Sequence, residues 1–481
     1  MAFLGTPLIP CTCIRDNGEV NMELKEAQKR CLKRLVSAIG ELECEISTAE
    51  VEPISELIIQ TMTGPWRYFH TPEHIFDVGG TEDPIEVLAA LFHDLVYIQV
   101  DQGVSFNIST YITPFVKDVR GQLVIRDSAQ LSKDRMFEIV MAVFGFVPGQ
   151  TLSPFAGQNE FLSAVIGAKS LDRFISASAI AEIAACIEAT IPFRPKLESG
   201  FSAMDMLYQR LINANNQFNL GWTEAKTCAA VKRAVKLANR DVENFAYPNA
   251  ADFLDNTWNL LPETNHELLN ANSYTVQGYR KSLQKMEGFM NFLKPEVVFQ
   301  QFMSEPDDES YRELVERTRR NIEVAKLYLG SKLTTIAILE ALSYRMGRDI
   351  PISTMMGELP DIKVKSASLE NFIPDVIEGH QPKNSLEKDV LELLSKGRNK
   401  DSPYDLKNSP LTTFLIKSIG FESGGYLLQR AKEFFKANIE KVNIEEAEAF
   451  LKECDDHVIK TVTEAVGQLF ESRMIALRGN S

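Results

Sequence analysis

Apolar residues recur at intervals of three and four positions along most of the chain, the spacing of one face of an α-helix. Leu24, Cys31, Leu32 and Leu35 follow this spacing near the N-terminus. The alternation of apolar and polar residues that marks a half-buried strand is rare. The pattern predicts an all-α fold, with helices over 22–62, 131–145, 160–190, 202–218, 223–246 and 250–260, a long mixed-charge helix from about 308, and amphipathic helices over 425–438 and 443–476.

The helical pattern is interrupted over one long stretch, 349–385. This stretch is rich in Pro, Gly, Ser and Asp, as in a linker or an irregular wrap. A chain of 481 residues is long enough for two or three compact units. We therefore predict an N-terminal helical segment (1–65) that packs on the core, a central helical domain (66–262), a helical extension (263–348), the linker or wrap (349–385) and a C-terminal helical region (386–481).

Two helix starts are explicit in the first hundred residues. The dipeptides Thr-Pro at 71–72 and Asp-Pro at 83–84 each place a capping residue before a proline at the first helical position. His74 is therefore predicted in the first turn of one helix. The pair His93 and Asp94 is predicted about two and a half turns into the next helix.

The His93-Asp94 pair lies inside the run VLAALFHDLVYI, which is otherwise almost entirely apolar. Burying an ionised Asp there without a partner would cost several kcal/mol. Adjacent helical residues point about 100° apart, so one packing contact cannot satisfy both side chains. A divalent cation that both side chains reach would satisfy them together, because His supplies a neutral nitrogen and Asp an anionic oxygen.

The alternative interpretation is a core histidine beside a hydrogen-bonded Asp. A second histidine favours the metal instead. The chain has only six histidines, and three of them lie between residues 70 and 93. A short turn between the two helices can bring His74 and His93 face to face.

The segments RYFHTPEHIFDV and DPIEVLAALFHDLVY resemble the metal-dependent phosphohydrolases of the HD superfamily, which carry Tyr-His-x-x-x-His-Ile and then Leu-Phe-His-Asp-x-Val-Tyr. The resemblance is most specific over 67–97. It continues more thinly through ACIEATIPFRP to AVKLANRDVENFA and so covers roughly 65–250. It identifies the central segment 66–262 as an HD-type helical bundle.

The resemblance implies a set of metal ligands: a first His, the His-Asp doublet and an Asp on a later helix. Carried over by motif, these are His74, His93, Asp94 and Asp241. Asp205, in AMDMLY, is a competing position for the last ligand.

The chain departs from the family after its Ala-Thr segment. Relatives often place one or two histidines there, which help to hold a second metal. Here Ala189-Thr190 is followed by Ile-Pro-Phe-Arg. The resemblance, with this departure, implies one divalent ion, which could be Mn, Fe, Zn, Mg, Co or Ni.

Several residues around the doublet are candidates for binding or proton transfer. Asp94, which is expected to bind the metal, or a nearby carboxylate is expected to orient an attacking water. His70 is a candidate hydrogen-bond donor to a metal ligand or a candidate substrate contact, with structural packing an equal alternative. The candidate phosphate contacts are Arg67, Arg194, Lys196 and Arg240, since guanidinium groups match phosphate oxygens, although each could simply be solvated; the general acid is left open among Glu73, Asp77, Glu188 and Glu243.

The net charge of −15 disfavours nucleic acid as the main partner. Seven scattered cysteines, no leader-like N-terminus and no long apolar run favour a cytoplasmic protein that does not enter the membrane. Phosphate-loop, dinucleotide and nucleophile-elbow motifs are not found in the sequence. The C-terminal amphipathic helices offer a packing or homodimer surface.

The leading hypothesis is a metal-dependent phosphohydrolase, a phosphomonoesterase or phosphodiesterase that takes a nucleotide or another small phosphorylated substrate. An HD-type iron oxygenase is an alternative, although it normally needs two metals and more histidines. A third hypothesis is a non-catalytic domain that senses a metal or ligand and signals through the C-terminal helices.

Overall fold

The computed structural model describes residues 17–269, 273–358, 367–377, 379–402, 404–437 and 443–478. These residues are mostly helical, which confirms the all-α class. Parts of the predicted segments 1–65 and 349–385 lie outside the described residues, as do Cys11 and Cys13. Among the described helices, none is both long and apolar enough to cross a lipid bilayer.

The chain divides into two compact units. The N-terminal unit contains the described residues up to Ala246 together with Lys294–Thr318, and the C-terminal unit contains those of Tyr247–Leu293 and Arg319–Ser481. The predicted central domain, 66–262, is thus divided at Ala246. The physical reason is that the helix that follows packs against the next helix, Val276–Phe292.

The N-terminal unit is a helical bundle with one small hairpin. Its centre is a helix of thirteen residues, Ala177–Ala189, in which nearly every side chain is buried. The elements in chain order are α1 (Asn17–Glu41), α2 (Thr48–Met62), α3 (Pro72–Gly79), α4 (Pro84–His93), α5 (Ile98–Asp101), α6 (Phe106–Ile112), β1 (Val116–Val119), β2 (Gln122–Ile125), α7 (Arg135–Phe144), α8 (Gln158–Leu171), α9 (Ala177–Ala189), α10 (Ala203–Phe218) and α11 (Glu224–Asp241).

Helix α9 organises the bundle because α4, α7, α8 and α11 all pack against it. The sequence predicts one helix over 160–190, but the structure has two, α8 and α9. The break comes where the Ser176 side chain accepts a hydrogen bond from the Ala179 amide and so caps a new helix. The early starts agree with the prediction: α3 and α4 each begin at a proline, and Asp83 caps α4 through the amides of Ile85 and Glu86.

The sequence pattern does not predict the hairpin of β1 and β2. The strands pair antiparallel from Val116–Ile125 to Val119–Gln122. Arg120 and Gly121 form the turn with φ of 57° and 81°, the left-handed conformations that a two-residue hairpin turn requires. Strands of four residues are too short for their alternation to stand out from a helical pattern.

The C-terminal unit is also helical. Its helices are α12 (Ala250–Thr264), α13 (Val276–Phe292), α14 (Asp308–Tyr344), α15 (Ile352–Met356), α16 (Ser385–Lys396), α17 (Pro410–Ala437), α18 (Ile444–Leu451) and α19 (Asp456–Arg478). The boundary between the units falls within α14, after Thr318. The predicted helix over 443–476 is two helices, and α17 extends well before the predicted 425–438 and is kinked at Gly420.

A buried ionic cluster lies in the core of the C-terminal unit. Asp405 Oδ2 accepts hydrogen bonds from Lys332 Nζ at 2.9 Å, Trp258 Nε1 at 2.8 Å and the Tyr279 hydroxyl at 2.8 Å. These donors belong to α14, α12 and α13. Lys332 is almost fully buried, and its ammonium also donates to the Ser409 hydroxyl at 3.1 Å. One carboxylate thus holds three helices together.

Candidate metal centre

Four predicted side chains converge in the N-terminal unit. His74 comes from the first turn of α3, His93 is the last residue of α4, and Asp241 is the last residue of α11. Asp94 follows α4 directly with φ −106° and ψ 15°, so it lies just past the helix and not inside it as the sequence predicts. Helices α3, α4 and α11 pack against one another, and this packing brings the three helix segments to one point.

The four ligand atoms form a closed ring of short distances. His74 Nε2 lies 3.3 Å from Asp94 Oδ2 and 3.1 Å from Asp241 Oδ1. His93 Nε2 lies 3.0 Å and 3.4 Å from the same two oxygens. Neighbouring ligands of one cation at about 2.1 Å are about 3.0 Å apart in octahedral and about 3.4 Å apart in tetrahedral coordination. The ring therefore has the size of a single divalent coordination sphere.

The hydrogen bonding of these atoms also fits a cation. His74 Nε2, His93 Nε2 and Asp94 Oδ2 are buried and make no hydrogen bond of acceptable geometry. His93 Nδ1 lies 2.8 Å from the carbonyl oxygen of Ala90, to which it donates in the neutral ring. That bond leaves the lone pair of Nε2 directed at the ring of ligand atoms, the usual arrangement of a metal-binding histidine.

The histidines and carboxylates at the centre shift one another's pKa values. Burial alone would lower the pKa of His74, but its contacts with Asp241 and Asp94 raise this pKa to about 9. Burial would raise the pKa of Asp241, and the two histidines instead lower it to about 2. The carboxylates are therefore ionised at neutral pH, and protons on the histidines take the place of the cation.

Metal uptake should consequently be linked to proton release. Since the pKa of His74 in the folded protein is about 9, a cation must displace its proton at lower pH. We expect the apparent Mn²⁺ affinity to rise between about pH 6 and pH 8, by about tenfold per pH unit for each proton displaced. Calorimetry in buffers of different ionisation enthalpy measures the protons released; a constant affinity without proton release would contradict this expectation.

The same pKa contributes to the pH dependence of the stability of the metal-free protein. The pKa of folded His74 lies above its ordinary value of 6.5, so the bound proton stabilises the fold fully below that pH. This contribution is lost as the pH rises through about 9.

Arg67 lies beside the centre but is fully buried. Its guanidinium donates to both Asp101 oxygens, at 2.9 Å and 2.6 Å, and to the carbonyl oxygen of Asp94 at 3.0 Å. Arg67 thus holds the backbone of the doublet in place, and the structure does not direct it towards an open cleft as the prediction of a phosphate contact requires. The prediction missed this because nothing in the local sequence indicates Asp101 as its partner.

The other predicted phosphate contacts differ in their surroundings. Arg194 donates to Glu188 Oε1 at 2.6 Å, and Arg210 also contacts this carboxylate. Arg240 binds Glu86 Oε2 at 2.5 Å and the Val78 carbonyl at 2.7 Å. Lys196 is exposed.

Glu188 is predicted as a catalytic residue, but its buried side chain is occupied by two arginines. Arg194 also donates to the Glu188 backbone carbonyl, so this arginine is held against Glu188 at two points. The remaining candidates for the general acid, Glu73, Asp77 and Glu243, are exposed.

The positions of His70 and Asp205 show which of these two candidates lies at the centre. The His70 ring packs edge-to-face on Tyr97, with centroids 4.6 Å apart, and on His74 at 5.7 Å. It therefore borders the centre. Asp205 instead accepts hydrogen bonds from the amide and hydroxyl of Ser202 and caps the start of α10, which leaves Asp241 in the cluster.

Glu160, in the first turn of α8, is a residue that the sequence analysis missed. Burial raises its pKa, and the charges of Asp94 and Asp241 raise it further, to about 7. Its neighbour Asn159 accepts a hydrogen bond from the Ile98 amide, so the start of α8 lies against the segment after the doublet. Glutamate is common in the first turn of a helix, so the sequence gives no signal at Glu160. Only its position in the fold, near Asp94 and Asp241, distinguishes it.

Gly157, just before α8, allows the close approach of a second residue, Ile191. Its φ is 80°, and a Cβ there would lie 2.4 Å from Ile191 Cδ1. The positive φ therefore favours glycine, and a Cβ would also have to displace the Ile191 side chain, which precedes Arg194 in the chain.

Within the described part of the chain, one group of three or more His, Cys, Asp or Glu side chains has ligand atoms close enough together to hold a metal ion. This group consists of His74, His93, Asp94 and Asp241. Comparison of the chain with protein-family models, with curated proteins and with solved structures finds no match.

Proposed function

We propose that the chain is an HD-type metal-dependent phosphohydrolase that acts on a nucleotide or another small phosphoester. The observation that carries the proposal is the ring of ligand atoms from His74, His93, Asp94 and Asp241, the ligand set that the sequence resemblance implies. Its size, its unsatisfied buried atoms and the His93 tautomer all suit one divalent ion. A cytoplasmic location belongs to the same proposal and is based on composition.

A bound divalent ion would polarise a phosphoryl oxygen and lower the pKa of a coordinated water. The chain supplies the remaining functions. Arg67 fixes the backbone at Asp94 and thus the direction of its carboxylate. Asp94 orients the attacking water. Glu160, whose pKa is raised first of all by burial, would donate its proton to the oxygen of the leaving group.

Replacing Glu160 by glutamine should lower kcat by about a hundredfold or more, the usual contribution of a general acid. Metal content should not change, because Glu160 is not one of the four ligands. Glu224→Gln is a matched control, since Glu224 is also a first-turn glutamate and is exposed. Equal activity of the Glu160 and Glu224 variants would rule out the proton-donor role.

The proposal is tested by elemental analysis of the purified chain, followed by a panel of phosphomonoesters, phosphodiesters and nucleotides with Mn²⁺, Mg²⁺, Co²⁺ and Ni²⁺. We expect about one ion per chain and turnover of at least one phosphoester. A tightly bound ion without any turnover would favour the sensing alternative. Two irons per chain with oxygen consumption would favour the oxygenase.

A further inference from the structure

A basic cleft lies on the N-terminal unit, apart from the ring of metal ligands. It encloses about 360 Å³ between one face of α1 and the turn that joins α3 to α4. Arg30, Lys33 and Arg34 line it from α1, and Gly80 and Thr81 line it from the turn. Three cationic side chains around one cavity stand out in a chain with a net charge of −15.

Two of these cations have no carboxylate partner. Among the described residues, neither Arg30 nor Lys33 makes an ion pair or a side-chain hydrogen bond, and both are exposed. Arg34 is directed into the fold, where its NH1 group donates to the carbonyl oxygens of Phe76 at 2.6 Å and Gly80 at 3.0 Å. The outer part of the cleft therefore presents N–H donors that a ligand can use.

The arginines are held in place by an aromatic ring. The guanidinium carbons of Arg30 and Arg34 lie 4.4 Å and 5.0 Å from the centre of the buried Phe76 ring. Stacking of this kind orders a guanidinium before a ligand arrives and so lowers the entropy cost of binding. Burial lowers the pKa of Arg34, and the charge of Arg30 lowers it further.

The acidic groups around the cleft are fewer than the basic ones. Glu41 lines one end, where its carboxylate accepts a hydrogen bond from the Ser37 hydroxyl. Asp77 on α3 acts on Arg34 and raises its pKa in opposition to burial. These two carboxylates leave one of the three positive charges without a balancing charge, and this excess favours an anion in the cleft.

We propose that this cleft binds a small anion with a phosphate group, separate from any substrate at the metal centre. Arginine and lysine donors recognise phosphate oxygens through charge-assisted hydrogen bonds. A cavity of this volume accommodates a phosphate or pyrophosphate group. Phe76 lies on the same short helix as His74, so an occupied cleft borders the helix that carries one metal ligand.

Calorimetric titration of the metal-free chain with pyrophosphate, in excess chelator, tests this site without any contribution from hydrolysis or from metal-bound phosphate. We expect saturable binding of one pyrophosphate per chain. The double variant Arg30→Gln and Lys33→Gln should weaken it by about tenfold or more, because charge-assisted hydrogen bonds are lost. Both residues are exposed, so the fold should be preserved, and thermal unfolding checks this.

The matched control is Lys25→Gln with Lys29→Gln, which removes the same charge from exposed positions of α1 that do not line the cleft. It should bind pyrophosphate almost as well as the unchanged chain. Equal weakening by both double variants would indicate a general charge effect and overturn the proposal. No saturable binding to the unchanged chain would overturn it as well. Neither result bears on hydrolysis at the metal centre.

Discussion

Replacing His93 by alanine should abolish stoichiometric binding of a divalent ion and, with it, phosphoester hydrolysis. His93 is 1% exposed, and its Nε2 lies within 3.4 Å of both carboxylates of the ring. Loss of a group that hydrogen-bonds to a metal ligand lowers metal affinity by about 10–100-fold. Loss of the ligand itself should lower the affinity further. Metal content after dialysis and Mn²⁺ titration measure the effect.

Two further variants separate metal binding from folding. Asp241→Asn keeps the shape of the side chain and should also lose the ion, because it removes one of the two carboxylate charges of the ring. His457→Ala removes an exposed histidine of the C-terminal unit and should keep the ion. If folded His93 and Asp241 variants retained a full complement of metal, the centre would not be where we place it.

Replacing Asp405 by alanine should destabilise the C-terminal unit by about 3–5 kcal/mol, the usual cost of leaving a buried charge without its partner. Lys332 would remain almost fully buried, and Trp258 and Tyr279 would each lose an acceptor. Denaturant unfolding followed by tryptophan fluorescence measures the loss, with Trp258 reporting on the C-terminal unit and Trp66 and Trp222 on the N-terminal unit. Removing the charges of Asp405 and Lys332 together, as Asp405→Leu with Lys332→Met, should recover part of the loss, because the buried Arg398 guanidinium, 3.9 Å from Asp405, keeps Asp255 as a carboxylate neighbour.

The surface pair of Arg320 and Asp389 provides the control. Its atoms are 2.9 Å apart, as in the buried pair, but its side chains are 60% and 35% exposed. Solvent screening limits such a pair to about 0–1 kcal/mol, so Asp389→Ala should change stability little. Similar losses in the Asp389 and Asp405 variants would mean that burial does not determine the cost.

The helical class and the starts of the helices around the centre could be predicted from local signals. Proline after a capping residue fixes where α3 and α4 begin, so the position of His74 follows from the sequence. The apolar surroundings of the doublet indicate that both its polar side chains need a buried partner. Asp241 could be placed only through the resemblance, because its contact with His74 depends on the packing of α11 against α3.

Partner choice among charged residues could not be predicted. Arg67, Arg194 and Arg240 resemble free cations in the sequence, yet each binds a carboxylate or carbonyl from another element. The sequence shows the charge but not which acid is buried beside it. Glu160 resembles an ordinary surface acid in the sequence, but its pKa is raised in the fold. The causes are burial and the charges of Asp94 and Asp241, which are both distant from Glu160 in the sequence.

The sequence pattern also does not predict where a long helical segment divides into two helices. The segment 160–190 has helical spacing throughout, yet α8 ends at Leu171 and the Ser176 side chain caps the start of α9. The same applies between α18 and α19, where the Asp455 carboxylate accepts a hydrogen bond from the Val458 amide. A side-chain hydrogen bond caps the second helix at each of these breaks. The spacing of apolar residues carries no information about such a bond.

The ring of ligands joins segments that are distant in the chain, since His74 lies in α3 and Asp241 at the end of α11. An ion bound there would act as a reversible crosslink between these segments. It would bind the folded chain more tightly than the unfolded chain, in which the ligands are far apart. By mass action, free metal at about a hundredfold above its Kd would add about 2.7 kcal/mol to the free energy of unfolding. Metal supply in the cell would then set how long the N-terminal unit survives proteolysis, whatever the substrate.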